Sequence, residues 1–266
     1  MSRYRAKKRL GQNFLVNEEV VARILDLIDA GTRDTVVEIG PGRGALTGSL
    51  ADSAHKLYAV EFDRDLAPRL KDRFAENTNV TILQQDFLKA APDDFGDGRL
   101  YVVGNIPYNI TSPVIDWLCE HSSRIEGAVL MVQREVARRI CSKPGVKDWS
   151  PMAIFVQIAF RAQVAFDVPA EDFDPPPKVH SSVIQMTSVD SPKADLPDNF
   201  VEVVRAAFAQ RRKLLVNNLV PALISDSEYV ESMMGKLGLD RKARAEQVTV
   251  EQFVQLARRL QSIDRS

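Results

Sequence analysis

Four consecutive residues, Asn105-Ile106-Pro107-Tyr108, combine an amide oxygen, a stiff turn and a flat ring. Those groups suit work on the exocyclic amine of a purine. An adenine amino nitrogen is a poor nucleophile because its lone pair is delocalised into the ring. The Asn105 side-chain oxygen and a main-chain carbonyl, most simply that of Ile106, can each accept one of its N–H groups. Two acceptors so placed draw the nitrogen toward tetrahedral geometry and localise its lone pair toward a methyl donor. Pro107 fixes φ, and Tyr108 can stack on the base, a contact worth about 1–3 kcal/mol. No strong general base is needed, since the amine becomes acidic once it is alkylated. A proline turn beside a core tyrosine is also an ordinary structural feature, so the tetrapeptide needs company before it means chemistry.

The company is a glycine-rich turn, Gly40-Pro41-Gly42-Arg43-Gly44, between a strand and a helix. Glycines there let a ligand approach the backbone beside a helix N-terminus. A dinucleotide fingerprint needs a third glycine where Ala45 stands. The GxGxG spacing suits S-adenosylmethionine, which has no pyrophosphate to cradle. Glu61 closes the next strand, 21 residues after Gly40, where a carboxylate can accept both ribose hydroxyl protons; that step alone fits NAD equally well. Asp86 closes the third strand and can accept from an adenine amino group. Turn, acids and tetrapeptide together point to an amino-methyltransferase.

These residues need a sheet to line them up. Thr35–Gly40, Lys56–Phe62, Val80–Asp86, Leu100–Asn105 and Gly127–Gln133 are short apolar or β-branched runs, as expected of strands buried on both faces. Helical patterns separate several of them, at Glu18–Ala30 (capped by Asn17), Ala45–Asp52, Asp65–Glu76, Pro113–Glu120 and Arg134–Ser142. The alternation predicts an α/β fold with a mostly parallel sheet. Residues Ser188–Asn199 read as a linker. Beyond them the patterns are helical, at Phe200–Gln210, Arg212–Leu219, Ser227–Leu237 and Val250–Ser262. The expected organisation is a basic segment over 1–16, a catalytic domain over 17–189 and a small all-α domain over 190–266.

Of the 266 residues, 45% are hydrophobic and 27% charged, which suits a globular chain of one or two domains. No apolar run suits a membrane span and the start lacks a signal-peptide pattern, so a cytoplasmic protein is expected. The two cysteines form no CxxC pattern and the three histidines lie far apart, so no metal site is expected. There is no GxSxG elbow and no P-loop. Lys plus Arg number 35 against 36 Asp plus Glu, yet the cations cluster. Arg3, Arg5, Lys7, Lys8 and Arg9 precede the first acid, Glu18, and further groups are Arg205/Arg211/Arg212/Lys213 and Arg241/Lys242/Arg244. Three clusters on a neutral chain suit a localised polyanion surface, although charge runs are usually solvated faces.

The sequence resembles the ribosomal RNA adenine dimethyltransferases, in particular the bacterial small-subunit branch, over nearly its whole length. The resemblance rests on Lys8–Leu15 (KRLGQNFL), Val37–Thr47 (VEIGPGRGALT), Glu61, Asp86, Gly104–Asn109 (GNIPYN), Phe173–Val179 (FDPPPKV) and Phe208–Lys213 (FAQRRK). It implies a Rossmann-like class I methyltransferase sheet with a small C-terminal all-α domain. It implies S-adenosylmethionine contacts from Asn13, Leu15, Gly40, Gly42, Glu61, Asp86 and Asn105. Target-adenine contacts would come from Asn105, Pro107 and Tyr108, with Phe173 on the other face of the base. RNA phosphates would be gripped by Arg9, Arg211, Arg212 and Lys213. The implied reaction is dimethylation of N6 on two adjacent adenosines in a hairpin near the 3′ end of 16S rRNA, by a monomer that also serves small-subunit biogenesis. Two positions depart from the pattern: His180 stands where Asp is usual, and Leu215-Val216-Asn217 lacks a further basic residue before the Asn.

Three neighbouring readings compete. Resistance enzymes of the same family methylate large-subunit rRNA and tend to be strongly basic, unlike this chain. DNA adenine methyltransferases more often carry a doubled proline where Ile106 sits. A ribosome-assembly factor using methylation as a checkpoint is the alternative from another class.

Overall fold

The computed structural model describes residues 4, 6–7, 10–28, 35–189, 196–223 and 226–261. Arg3, Arg5, Lys8 and Arg9, among them the expected RNA contact Arg9, lie outside the described residues, as does half of the expected linker, 190–195.

The chain divides into two compact units, Met1–Arg138 with Phe160–Val189, and Arg139–Ala159 with Asp190–Ser266. The first holds a seven-stranded sheet. Its strands are β2 (Thr35–Ile39), β3 (Lys56–Glu61), β4 (Val80–Gln84), β5 (Leu100–Asn105), β6 (Ile125–Gln133), β7 (Phe160–Val168) and β9 (Ser181–Ser188), in the spatial order β4-β3-β2-β5-β6-β9-β7. The strands from β2 to β6 run parallel, whereas β9 lies antiparallel between β6 and β7. Apolar runs such as Val36-Val37 and Leu57–Val60 are buried because helices cover a parallel sheet on both faces. Those helices include α1 (Glu18–Leu25), α2 (Thr47–Ser53), α3 (Ala67–Arg73) and α4 (Thr111–Glu120), while α5 (Arg134–Ile140) follows β6 directly. Asn17 caps α1 as its side chain predicts, accepting from the Glu19 and Val20 N–H groups.

The chain order reverses at β2, with β3 and β4 on one side and β5 and β6 on the other. A crevice opens outside the carboxyl ends of the strands at such a switch point. Register aligns what stands there: Ile39 pairs with Val60 and with Gly104, so Gly40, Glu61 and Asn105 leave the sheet side by side. Gly104 has a steric reason, since a Cβ there would lie 2.7 Å from the Ile39 carbonyl oxygen.

A second, two-stranded sheet joins β1 (Phe14–Leu15) to β8 (Phe173–Asp174), pairing Phe14 with Asp174 and Leu15 with Phe173. Neither strand was expected, and each is too short for a periodic signal. The segment Phe173–Val179, read alone, is a proline-rich connector; its first two residues are this strand.

In the second unit, α6 (Pro151–Ala159), α7 (Phe200–Ala207), α8 (Leu215–Leu223), α9 (Ser227–Lys236) and α10 (Val250–Gln261) surround one core. Trp149, Phe253, Val203, Leu215 and Leu219 are completely buried in it. A division at residue 190 alone misses the recruitment of 139–159. The reason is tertiary packing: Trp149, Ala153, Ile154 and Ile158 bury themselves in this core, and Trp149 Nε1 donates to the Val248 carbonyl at 2.9 Å. The basic run also sits differently from expectation. Arg211, Arg212 and Lys213 lie in the turn between α7 and α8, and α8 begins only at Leu215.

Candidate active site

A cavity of about 260 Å³ opens at the switch point. Its wall includes Asn13, Leu15, Gly40, Gly42, Glu61, Asp86, Asn105, Pro107 and Tyr108. Nine expected site residues, drawn from five separate stretches of chain, are therefore brought together.

The glycine turn is built for close approach. Gly40 and Gly42 have φ of 65° and 60°, a region that costs other residues about 1–2 kcal/mol. A Cβ on Gly42 would also lie 2.9 Å from the Phe14 ring. Gly42 N–H donates to Glu61 Oε2 at 3.0 Å and Asp63 N–H donates to Glu61 Oε1 at 2.7 Å. One lone pair on each oxygen is thereby fixed, leaving the others for two ligand hydroxyls. Burial raises the Glu61 carboxyl pKa, and these two backbone donors oppose that rise. Asp86 caps the short turn after β4 by accepting from Leu88 N–H at 3.1 Å.

Two buried polar atoms on the cavity wall, Glu38 Oε2 and Gln85 Nε2, have no hydrogen-bond partner. Buried polar atoms without a protein partner are uncommon and suit a wall that a bound ligand or water completes. Glu38 is completely enclosed, and burial pushes its carboxyl up to about 8. A cationic nucleoside suits this wall: a cradle open to close approach, paired acceptors for a ribose, and an acid lacking a positive partner. S-adenosylmethionine, with its sulfonium and ammonium groups, has that chemistry, and the residues present fit it.

The tetrapeptide forms the opposite wall. Asn105 Nδ2 donates to the Asn13 carbonyl at 2.8 Å. That bond fixes the amide's orientation and leaves Oδ1 as its free acceptor. Ile106 N–H donates to the Met131 carbonyl at 3.0 Å, and the Pro107 carbonyl accepts from Ile110 at 3.0 Å. No hydrogen bond to the Ile106 carbonyl occurs among the described residues. Tyr108 is half-buried, and its hydroxyl lies 2.7 Å from Ser181 Oγ, which holds the ring in place.

Phe173 is not part of this wall. It is 3% exposed and packs with Leu15, Val168 and Val183 in the core. Its pairing with Leu15 across the two-stranded sheet accounts for that position. Phe62, by contrast, was not singled out from the sequence, yet it lines the cavity while 60% exposed. Its position directly after Glu61 at a strand end was the available signal.

Arg211, Arg212 and Lys213 are exposed in the second unit, with Arg211 Nε a loose 3.9 Å from Glu246. Asn218, buried beneath them, donates to the Ala207 carbonyl at 2.7 Å and the Gln210 carbonyl at 3.1 Å. It therefore secures the turn that carries the cations. Val216, at the departure noted there, is 6% exposed and packed in the core of the second unit. His180 is exposed and engages through its backbone, accepting from Arg134 N–H at 3.1 Å. Among the described residues there is no cluster of metal-ligating side chains, and no helix is long and apolar enough to cross a membrane.

Comparison with known proteins places this arrangement. A family profile described as "Ribosomal RNA adenine dimethylase" matches residues 3–262. The chain is 40% identical to ribosomal RNA small subunit methyltransferase A of Bacillus cytotoxicus, over 96% of this chain and 91% of that one. The corresponding protein of Bacillus mycoides is 38% identical with the same coverage. Among solved structures, the 23S rRNA methyltransferase ErmE superposes with a TM-score of 0.74 at 29% identity, covering 94% of this chain and 100% of that one. A dimethyladenosine transferase from Plasmodium falciparum shares the fold with a TM-score of 0.82 at 24% identity, covering 94% and 98%.

Proposed function

The chain belongs to the ribosomal RNA adenine dimethylase family, and from that premise we propose a division of labour among its residues. The reaction is S-adenosylmethionine-dependent dimethylation of adenine N6 in small-subunit rRNA, on two adjacent adenosines near the 3′ end. The observation that carries the assignment of roles is the single row of Gly40, Glu61 and Asn105 along the sheet edge.

S-adenosylmethionine supplies an electrophilic methyl group. Gly40 and Gly42 let it approach the backbone, Glu61 takes its ribose hydroxyls and Asp86 its adenine amine, with Phe62 covering the ring. Asn13 and Leu15 close the near side. On the substrate side, Asn105 Oδ1 and the Ile106 carbonyl accept the two amino hydrogens and localise the nitrogen lone pair. Pro107 sets the turn, and Tyr108, steadied by Ser181, stacks on the base. The proton released after each transfer passes to solvent. Phe173 serves from beneath, holding Leu15 against the cavity. Arg211, Arg212 and Lys213 grip phosphates, which orients the RNA without reading its sequence. The protein works in the cytoplasm as a monomer on the ribosomal subunit.

The test is tritium transfer from labelled S-adenosylmethionine to unmethylated small and large subunits in parallel, followed by nucleoside analysis. N6,N6-dimethyladenosine in the small subunit alone is expected, and label in the large subunit moves the chain to the resistance branch. Tyr108→Ala should lower transfer far more than donor affinity; equal losses in both contradict the stacking role.

A further inference from the structure

We propose that Asp63 is a positioning residue that ties the cofactor side of the site to the catalytic amide. The proposal rests on the methyl-transfer reading above.

The Asp63 side chain is completely buried and gathers four donors. They are the Tyr4 hydroxyl, Lys7 Nζ at 2.6 Å, Gln12 Nε2 at 2.9 Å and the Asp65 N–H at 2.9 Å. Burial pushes its carboxyl up, but the hydrogen bonds from Lys7, Tyr4, Asp65 and Gln12 outweigh that and hold it at about 2. The group is a permanent anion.

Two short paths lead from this anion into the site. Along the first, the Asp63 N–H donates to Glu61 Oε1, so the aim of the ribose acceptor depends on where the Asp63 peptide sits. The second runs through Gln12. Its Oε1 accepts from the Lys7 N–H at 2.8 Å and lies 3.0 Å from the oxygen of Tyr4, whose proton goes to Asp63, and its Nε2 is held by Asp63. With both ends fixed, Gln12 places the next residue, Asn13, whose carbonyl receives the Asn105 amide. A buried carboxylate thus sets both the acceptor for one substrate and the orientation of the amide that meets the other. Placement errors of this kind matter because a shift of about 1 Å can cost roughly a hundredfold in rate.

The test exploits donor–acceptor matching between positions 12 and 63. Asp63→Asn is nearly isosteric but turns one acceptor into a donor beside Gln12 Nε2. Gln12→Glu sets a second carboxylate against Asp63. Together the two changes restore a matched pair. S-adenosylmethionine affinity, kcat at saturating donor and melting temperature are measured for the wild type, both single variants and the double variant. Each single variant should weaken donor binding and lower kcat by about tenfold, and the double variant should recover most of both.

Folded single variants indistinguishable from wild type would overturn the proposal. So would a double variant no better than the worse single one. If the single variants melt too low to assay, Lys7→Met, which removes a partly exposed partner, should still weaken donor binding several-fold; an unchanged affinity there counts against the proposal. A wild-type chain that neither binds S-adenosylmethionine nor transfers methyl groups would instead sink the underlying reading.

Discussion

Glu38 is the most costly single residue on the cavity wall. A strand buried on both faces has no place for an isolated acid, yet Glu38 stands in β2 between Val37 and Ile39 with Oε2 unpartnered. Burial is the main cause of its pKa of about 8, and the Glu61 charge adds to it, while the nearby Thr47 hydroxyl acts in the other direction. In the unfolded chain the group titrates near the ordinary value of 4.5. Between those two values the folded state keeps a proton that the unfolded state has lost. Stability from this group is therefore fully present below the lower value and lost as pH rises through the window. The ligand-free protein should lose up to about 1.4 kcal/mol per pH unit there. Glu38→Gln should flatten that slope, which thermal melts from pH 5 to 8 would reveal; an unchanged slope assigns it to other groups. At this scale the sequence was informative about which residues would meet at the cavity wherever one ends a strand or opens a turn. Gly40, Glu61, Asp86 and Asn105 all do so. Gln12, Asp63 and Phe173 take their places from partners remote in the chain, and a run of letters carries no sign of such pairing.

At the level of elements, two small features outweigh their length. The β1–β8 ladder spans two residues a side, yet it fixes Leu15 at the cavity and Phe173 in the core. The α7–α8 turn carries three exposed cations over Asn218, whose amide ties the last carbonyl of α7, on Ala207, to that of Gln210 in the turn. Asn218→Ala leaves two acceptors without their donor, at a cost of about 1–3 kcal/mol in stability. It should also weaken rRNA binding while leaving S-adenosylmethionine affinity unchanged. Melting curves and two binding isotherms check this, and a fall in donor affinity would refute the separation. Strand and helix order in the catalytic sheet was legible from β2 to β6, where apolar runs alternate with amphipathic stretches. It failed at α6, β7 and β9. The mainly apolar stretch Pro151–Ala159 has too weak a polar face to show a helical stripe, and β7 has several exposed positions that break the pattern of a buried strand.

Considered whole, the molecule carries a net charge of −1, so its grip on a polyanion must be local. That locality makes salt dependence a map of the bound surface. Replacing Arg211 and Arg212 together by Ala should weaken RNA binding and flatten the plot of log affinity against log salt by about one unit for each phosphate no longer neutralised. An unchanged slope would remove the α7–α8 turn from the RNA surface. The charge clusters were plain in the sequence; the division into units was not, because residues 139–159 join a core built mainly from residues beyond 196. Such recruitment leaves no mark on local composition.

In the role proposed for Asn105, its pinned amide would also give the site a way to count. With Nδ2 committed to the Asn13 carbonyl, the side chain presents only an acceptor and cannot turn to greet a different partner. An unmodified adenine brings two hydrogens to the pair of acceptors, a monomethylated one brings a single hydrogen, and a dimethylated one brings none. Retention should therefore weaken at each round, which competition by N6-methyl and N6,N6-dimethyl oligonucleotides can rank. On that reading the finished nucleotide has no hydrogen left to donate, and the reaction stops where the amine carries only carbon.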